Sequence, residues 1–262
     1  MSQLPPPPIG DSAPQPGPAP SGYAVGDAFN YGWRKFQQNL APWLLACLIA
    51  IGVVVLLWVL FILIAGAIGL ASTTTIETAS GGTIYRTDTA GGVGLTIVTI
   101  VFTVLSALLG WIISAQFIRA ALGVTERGVI DLGIFFKKEL LGPVIVAAFL
   151  LAVIQFALAV IGVVPLIGWL IQFIGSIVVT FFAQFYAYFV LDQQQAPMES
   201  IKSSFSFVNQ HLATIIVLFL ASIVAIVIGA LLCGIGLFIA IPVTVMAHAY
   251  TYRVLRGEPV AV

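Results

Sequence analysis

Six uninterrupted apolar stretches constrain this chain more than any other feature. They lie at about Leu40–Leu70, Val93–Leu122, Leu141–Gly162, Leu166–Leu191, Leu212–Leu232 and Ile235–Leu255. A hydrocarbon layer about 30 Å thick is crossed by about 20 helical residues, and each stretch reaches that length. A membrane β-barrel would instead show short alternating segments. Only 8% of the 262 residues are charged, too few to cover a soluble domain of this size. The expected fold is all-α: a polytopic helical membrane protein with six transmembrane helices.

The breaks between stretches are equally readable. Val163–Pro165 and Cys233-Gly234 interrupt runs that would otherwise be too long, and Gly and Pro there suit tight helix–helix turns. Residues 71–92 form a polar loop rich in Ser, Thr and Gly, where a short hairpin around Gly81-Gly82 fits. Residues 1–22 hold eight of the 14 prolines and no apolar core, so a disordered, polyproline-rich tail is expected there. That tail lacks the basic and apolar regions of a signal peptide and is a candidate arm for a protein partner. Residues 23–257 make the membrane domain, and 258–262 a short C-terminal tail.

Lys and Arg set the orientation. Six spans place both ends on one side, together with Arg34, Lys35, Arg119, Arg127, Lys137, Lys138, Lys202, Arg253 and Arg256; Arg86 alone is opposite. That asymmetry puts both termini in the cytoplasm of a bacterial cell (inner) membrane. Arg119 and Arg253, near span ends, are expected to snorkel to the headgroups.

The inner segments repeat. Ala115-Gln116-Phe117 is followed by Asp131, 15 residues after its Gln, and Ala183-Gln184-Phe185 by Glu199 at the same spacing. Ala247-His248-Ala249 is a third related triplet, and Asp27 opens the first unit. After each acidic residue comes a helical apolar stripe: Phe29, Trp33, Phe36 and Leu40; Leu132, Phe136 and Leu140; Met198, Ile201, Phe205, Val208 and Leu212. Such helices belong in the headgroup plane, with Trp33, Phe36, Phe136 and Phe205 as interfacial anchors. The unit is an interfacial amphipathic helix plus a transmembrane hairpin, used three times at about 25–122, 129–191 and 197–256.

Polar residues at membrane depth are few. The triplets bring Gln116, Gln184 and His248 to one level, where they could form a polar ring; plain interhelical hydrogen bonding, worth about 1 kcal/mol or less per contact, is the simpler reading. Gln155 and Gln172 sit deeper and could pair. No Asp or Glu lies mid-span, which argues against ion coupling. No HExxH, GxSxG or P-loop pattern occurs. The Lys202-Ser203-Ser204 run offers at most a remote Ser–Lys dyad without an oxyanion site. Cys47 and Cys233 lack partners at metal-ligand spacing and read as core residues, so neither metal nor cofactor is expected.

The pattern Gly26-Asp27-Ala28-Phe29 … Gly32-Trp33-x-x-Phe36 entering a span resembles the start of actinobacterial-type integral membrane proteins with a proline-rich N-terminus. Those are related to the membrane-domain family of glycerophosphoryl diester phosphodiesterases. Pro242 through Tyr250 to Val254-Leu255 matches their ends loosely, and the resemblance spans about 23–256. It implies a six-span helical module. It does not imply phosphodiesterase activity, because the hydrolase domain is absent from this sequence. The expected function is a non-catalytic membrane protein that organises a partner complex or local lipid, with membrane lipids and no nucleic acid as partners. The alternative is a transporter-like component for a lipid or apolar solute, and an intramembrane enzyme ranks last.

Overall fold

Inside a bilayer no water is present to satisfy backbone amides, so each apolar stretch closes its own hydrogen bonds as a helix. The computed structural model describes residues 23–77, 83–87, 89–232 and 234–261. Among them six helical segments are long and apolar enough to cross a membrane. The chain is a multi-pass membrane protein.

Helix α1 (Val25–Gln38) leads through a kink at Asn39 into α2 (Leu40–Ser72). Two short strands follow, β1 (Thr73–Glu77) and β2 (Thr83–Thr87), paired antiparallel from Thr73 opposite Thr87 to Glu77 opposite Thr83. The expected hairpin tip at Gly81-Gly82 lies outside the described residues. Helix α3 (Thr89–Arg127) returns. With 33 and 39 residues, α2 and α3 are about 50 and 58 Å long, well beyond a 30 Å hydrocarbon layer.

A five-residue 3-10 helix (Leu132–Phe136) precedes the second hairpin, α4 (Leu141–Ile161) and α5 (Ile167–Ala183). The second arm of that hairpin breaks at Gln184-Phe185 and continues as α6 (Tyr186–Gln193). Then α7 (Pro197–Gln210) leads into the third hairpin, α8 (Leu212–Leu231) and α9 (Leu237–Leu255).

The three inner joints differ from one another. Around residues 129–140 an amphipathic helix was expected, and only the 3-10 turn forms. Asp131 accepts a hydrogen bond from Gly133 N, which starts the turn; Lys137 is extended (ψ 130°), which ends it, and Leu140 takes a left-handed conformation (φ 59°) just before α4. Pro143 supplies no amide for Glu139 O, so continuing the helix into α4 would leave that carbonyl unmatched. Arg119 donates to it and to Lys137 O instead. Arg119 is therefore a capping group within the protein.

The second and third joints pack on the hairpin before them, and the first, which has none before it, packs on the last span. Helix α1 lies on α9, the 3-10 helix on α3, and α7 on α4, α5 and α6. Helix α1 runs alongside α9: Tyr23 Oη lies 2.6 Å from Thr251 Oγ1, and Gly32 sits against Val243. The buried face of α1 is Ala28, Tyr31, Gly32, Lys35 and Phe36. Phe36 is 2% exposed, so it is a core residue rather than a lipid anchor; its place four residues after Gly32 turns it toward α9. Trp33 is exposed, at the edge of that face, its ring centroid 6.2 Å from that of Phe36. Phe205 is half-buried and stacked on Phe182, with centroids 5.3 Å apart. The side chain of Phe136 lies outside the described residues.

Burial concentrates at the end of the bundle where residues 23 and 261 lie, called the inner end for its position in the bundle alone. Trp43 of α2, Val124 of α3, Val144 of α4, Phe185 beside α6, Ile215 of α8 and Met246 of α9 are all fully enclosed. Toward the other end the hairpins present Leu, Ile, Val and Phe outward, as spans facing hydrocarbon do.

Candidate functional site

Among the described residues, cavities open around the packed inner half. One of about 570 Å³, half-open, lies between α2, α3, α6 and α9. Its wall on α9 runs from Leu237 to His248, about 16 Å of helix. Ile51, Ile113, Phe117, Phe238 and Ile241 make it overwhelmingly apolar. No Lys, Arg, Asp or Glu lines it among the described residues. A second apolar cavity of about 220 Å³ flanks the other face of the α2–α3 pair and is lined by Gln116 and Phe135. Ala50, Ile113 and Phe117 line both, so they form the partition between them.

The proposed polar ring divides between these cavities. Gln184 and His248 meet in the larger one, with His248 Nε2 3.2 Å from Gln184 Oε1. Gln116 turns away and donates to Lys137 O at 2.8 Å. Gln155 and Gln172 do not pair: Gln155 Nε2 donates to Thr180 Oγ1 at 3.4 Å, and Gln172 lies against Gly162.

The meeting of Gln184 with His248 depends on the break between α5 and α6. A broken helix inside the membrane leaves backbone groups that need partners. Ser204 of α7, fully buried, provides them: its Oγ donates to Phe182 O at 2.7 Å and accepts from Phe185 N at 3.1 Å. Ser204 is thereby a structural plug, bound on both sides, and not a member of a Ser–Lys pair. The break was not foreseen, and neither was the part Ser204 plays in it.

A third cavity, about 210 Å³ and polar, opens at the inner end among Arg119, Glu126, Arg127, Lys137, Glu139 and Asp192. Beside it is an ion-pair network that joins α3, α6 and α9. Arg253 Nη2 lies 2.6 Å from Glu126 Oε1 and 2.7 Å from Asp192 Oδ1. Arg256 Nη1 lies 3.1 Å from Asp192 Oδ2, and its Nη2 3.0 Å from Glu258 Oε1. Tyr252 Oη donates to Asp192 Oδ2 at 3.2 Å and accepts from Arg256 at 2.6 Å. Partial burial pushes the Glu258 carboxyl above its ordinary range, with Arg256 pulling the other way. Arg253 is 7% exposed, so it is a buried cross-link and not the snorkelling cation expected from its position. Its two closest carboxylate partners are 61 and 127 residues away, and no local pattern announces such pairs; Glu258 is a more distant third contact at 3.6 Å. The network binds the inner end together; it holds no nucleophile placed against an acid–base partner.

Comparison with known proteins decides the family. The chain is 30% identical over 251 residues to the uncharacterized protein Rv2560 of Mycobacterium tuberculosis, covering 92% of this chain and 71% of that one. The same figures hold for the uncharacterized protein Mb2590 of Mycobacterium bovis. The chain belongs to the family of these mycobacterial proteins. No protein-family profile matches it, and no solved structure does. Family membership thus extends over nearly the whole chain and brings no assigned activity with it. The glycerophosphoryl diester phosphodiesterase resemblance rests on the residues quoted above and nothing further.

Proposed function

We propose that this protein is a non-catalytic module of a bacterial cell membrane that organises local lipid by holding a hydrocarbon chain in the cavity between α2, α3, α6 and α9. The observation that carries this reading is the cavity itself: about 570 Å³, half-open, apolar-walled, and built from spanning helices save for Gly234 of the α8–α9 turn. At that depth the surrounding medium is lipid, and an apolar cavity open to it is filled by acyl chain at little cost. The lack of charge on its wall goes against ion coupling. The reading draws nothing from residues 1–22, whose partner role stands as an expectation of their proline pattern.

Ala50 offers the direct test, because a large side chain there fills the space without removing a polar contact. Ala50→Phe is expected to lower the amount of tightly held lipid that survives purification at least five-fold, with the helix content unchanged. Equal lipid retention in the variant would remove the cavity from the account. Transport of a lipid or apolar solute is the second reading, favoured by the length of the α9 wall from Leu237 to His248. Under it, the same substitution blocks transfer between leaflets in reconstituted vesicles.

The orientation proposed from basic residues has its own check. A Cys substituted at Arg86 should react with a membrane-impermeant maleimide added outside intact cells. Reaction only after lysis would reverse the topology.

A further inference from the structure

The polar cavity at the end of α3 is lined by more positive charge than the protein neutralises. One face of α3 forms its floor, where Arg119, Gly123, Glu126 and Arg127 recur at helical spacing. The joint before α4 adds Lys137 and Glu139, and the end of α6 adds Asp192. A Cβ at Gly123 would lie 3.8 Å from Arg127 Nη2, so the guanidinium lies close to the glycine, at the floor both residues line. Glu126 and Asp192 are already matched: Arg253 lies 2.6 and 2.7 Å from them, and Arg256 3.1 Å from Asp192. Arg119, Arg127 and Lys137 pair with no carboxylate among the described residues, and Glu139 pairs with no cation there. Arg119 is held by the carbonyls of Lys137 and Glu139. The side chains of Arg127 and Lys137, both exposed, have no hydrogen-bond partner among the described residues. Three cations and one carboxylate thus share a small space, an excess of two positive charges.

We infer that this cavity binds a phosphomonoester, presented by a lipid head group or by a small soluble molecule, with its oxygens accepting from Arg127 and Lys137. The site is separate from the apolar cavity, and the inference is independent of the lipid reading above. A phosphomonoester carries about −1.5 to −2 charges at pH 7 and three strong acceptor oxygens, which matches the excess on the wall. Guanidinium and ammonium groups only donate, and both are suited to phosphate oxygens. A phosphodiester or a carboxylate brings a single negative charge and leaves half of the excess unmatched. Size narrows the ligand further. At about 30 Å³ per water-sized group, 210 Å³ takes roughly seven such groups, enough for the phosphate and the first atoms attached to it and too little for a peptide segment. The cavity also lies beside the end of the apolar run Val93–Leu122, the level at which a bilayer carries its phosphates. Arg119 is a positioning residue here: by holding Lys137 O and Glu139 O it fixes the joint that carries Lys137.

The test places the full chain in phosphatidylcholine nanodiscs at a pH of about 8, where a phosphomonoester is doubly ionised. Tritiated phosphatidic acid is the lipid probe, phosphatidylglycerol its singly charged diester control, and tritiated glycerol 3-phosphate the soluble probe. At least one of the two monoesters is expected to bind saturably, and phosphatidic acid, if it is the ligand, at least ten times more tightly than phosphatidylglycerol. Arg127→Gln and Lys137→Gln are each expected to weaken that binding at least five-fold; both side chains are exposed, so helix content stays unchanged. Lys138→Gln removes a neighbouring exposed cation that does not line the cavity, and is expected to change affinity less than two-fold. Ala50→Phe, in the apolar cavity, is expected to leave it unchanged. Binding of phosphatidic acid alone assigns the site to a lipid head group, and binding of glycerol 3-phosphate with the same dependence on Arg127 and Lys137 assigns it to a soluble ligand. Equal binding of the lipid monoester and diester, or a loss in Lys138→Gln as large as in Lys137→Gln, overturns the proposal in favour of general attraction to surface charge. Absence of saturable binding by either monoester overturns it outright.

Discussion

Arg253→Met is expected to lower the stability of the folded bundle by about 3 kcal/mol, through loss of a buried cation that serves two carboxylates. A single guanidinium nitrogen, Nη2, approaches both Glu126 and Asp192. Methionine preserves much of the side-chain volume and removes the charge, leaving Asp192, 13% exposed at its side chain, with one partner fewer. The loss falls at the low end of the range for broken buried pairs because Arg256 remains on Asp192 and Glu126 is half exposed to solvent. Arg253→Lys should recover little of it, since an ammonium cannot reproduce the planar fork that reaches Glu126, Asp192 and Glu258 together. Reversible unfolding in mixed micelles measures the difference. A loss under about 0.5 kcal/mol would return Arg253 to the role of an exposed, snorkelling cation.

Gly32→Leu is the second substitution with a large expected effect, and it acts by steric exclusion. A Cβ at position 32 would lie 2.6 Å from Val243 O, a backbone atom of α9 that has no flexible end to move aside. Helix α1 must then lift from α9 or both helices must shift, at a cost of about 1–3 kcal/mol. Lifting would also break the contact of Tyr23 Oη with Thr251 and the 4.8 Å packing of the Tyr31 and Tyr250 rings. Amide exchange across residues 25–38 is expected to quicken about 5- to 150-fold in proportion to that cost. Unchanged protection would mean that α1 is held by something other than its close approach at Gly32.

The parts of this fold that physics makes obligatory were legible in the sequence. An apolar run in a bilayer has to be a helix, and so Leu40, Leu141 and Leu212 begin helices where the runs begin. The Cys233-Gly234 break likewise falls between α8 and α9. What depended on distant partners was not legible. The break at Gln184-Phe185 lies inside an unbroken apolar run and exists because Ser204, 19 residues after Phe185, satisfies the freed backbone. Phe36 shares the apolar stripe of Trp33, and only the docking of α1 on α9 decides that one faces inward and the other outward. The short joint before α4 is the instructive intermediate case. Its stripe at Leu132, Phe136 and Leu140 suggested a helix, while Pro143, present in the same sequence, already denied Glu139 O its helical donor.

The candidate site follows the same division. The triplet pattern singled out Gln184 and His248, which the fold brings to 3.2 Å. It also singled out Gln116, which the fold commits to Lys137 O, because the joint before α4 needs a donor there. The cavity itself was not legible, because its walls come from four separate helices.

The claim that this cavity is where the protein holds lipid is tested most directly by mapping contact at residue level. A lipid carrying a diazirine on one acyl chain would be incorporated with the protein in nanodiscs, activated by light, and its adducts located by mass spectrometry. Adducts concentrated on Phe117, Phe238 and Val245, which line the cavity, are the expected result. Adducts spread over outward-facing residues such as Phe149, Phe173 and Leu220, with the cavity wall unlabelled, would contradict it.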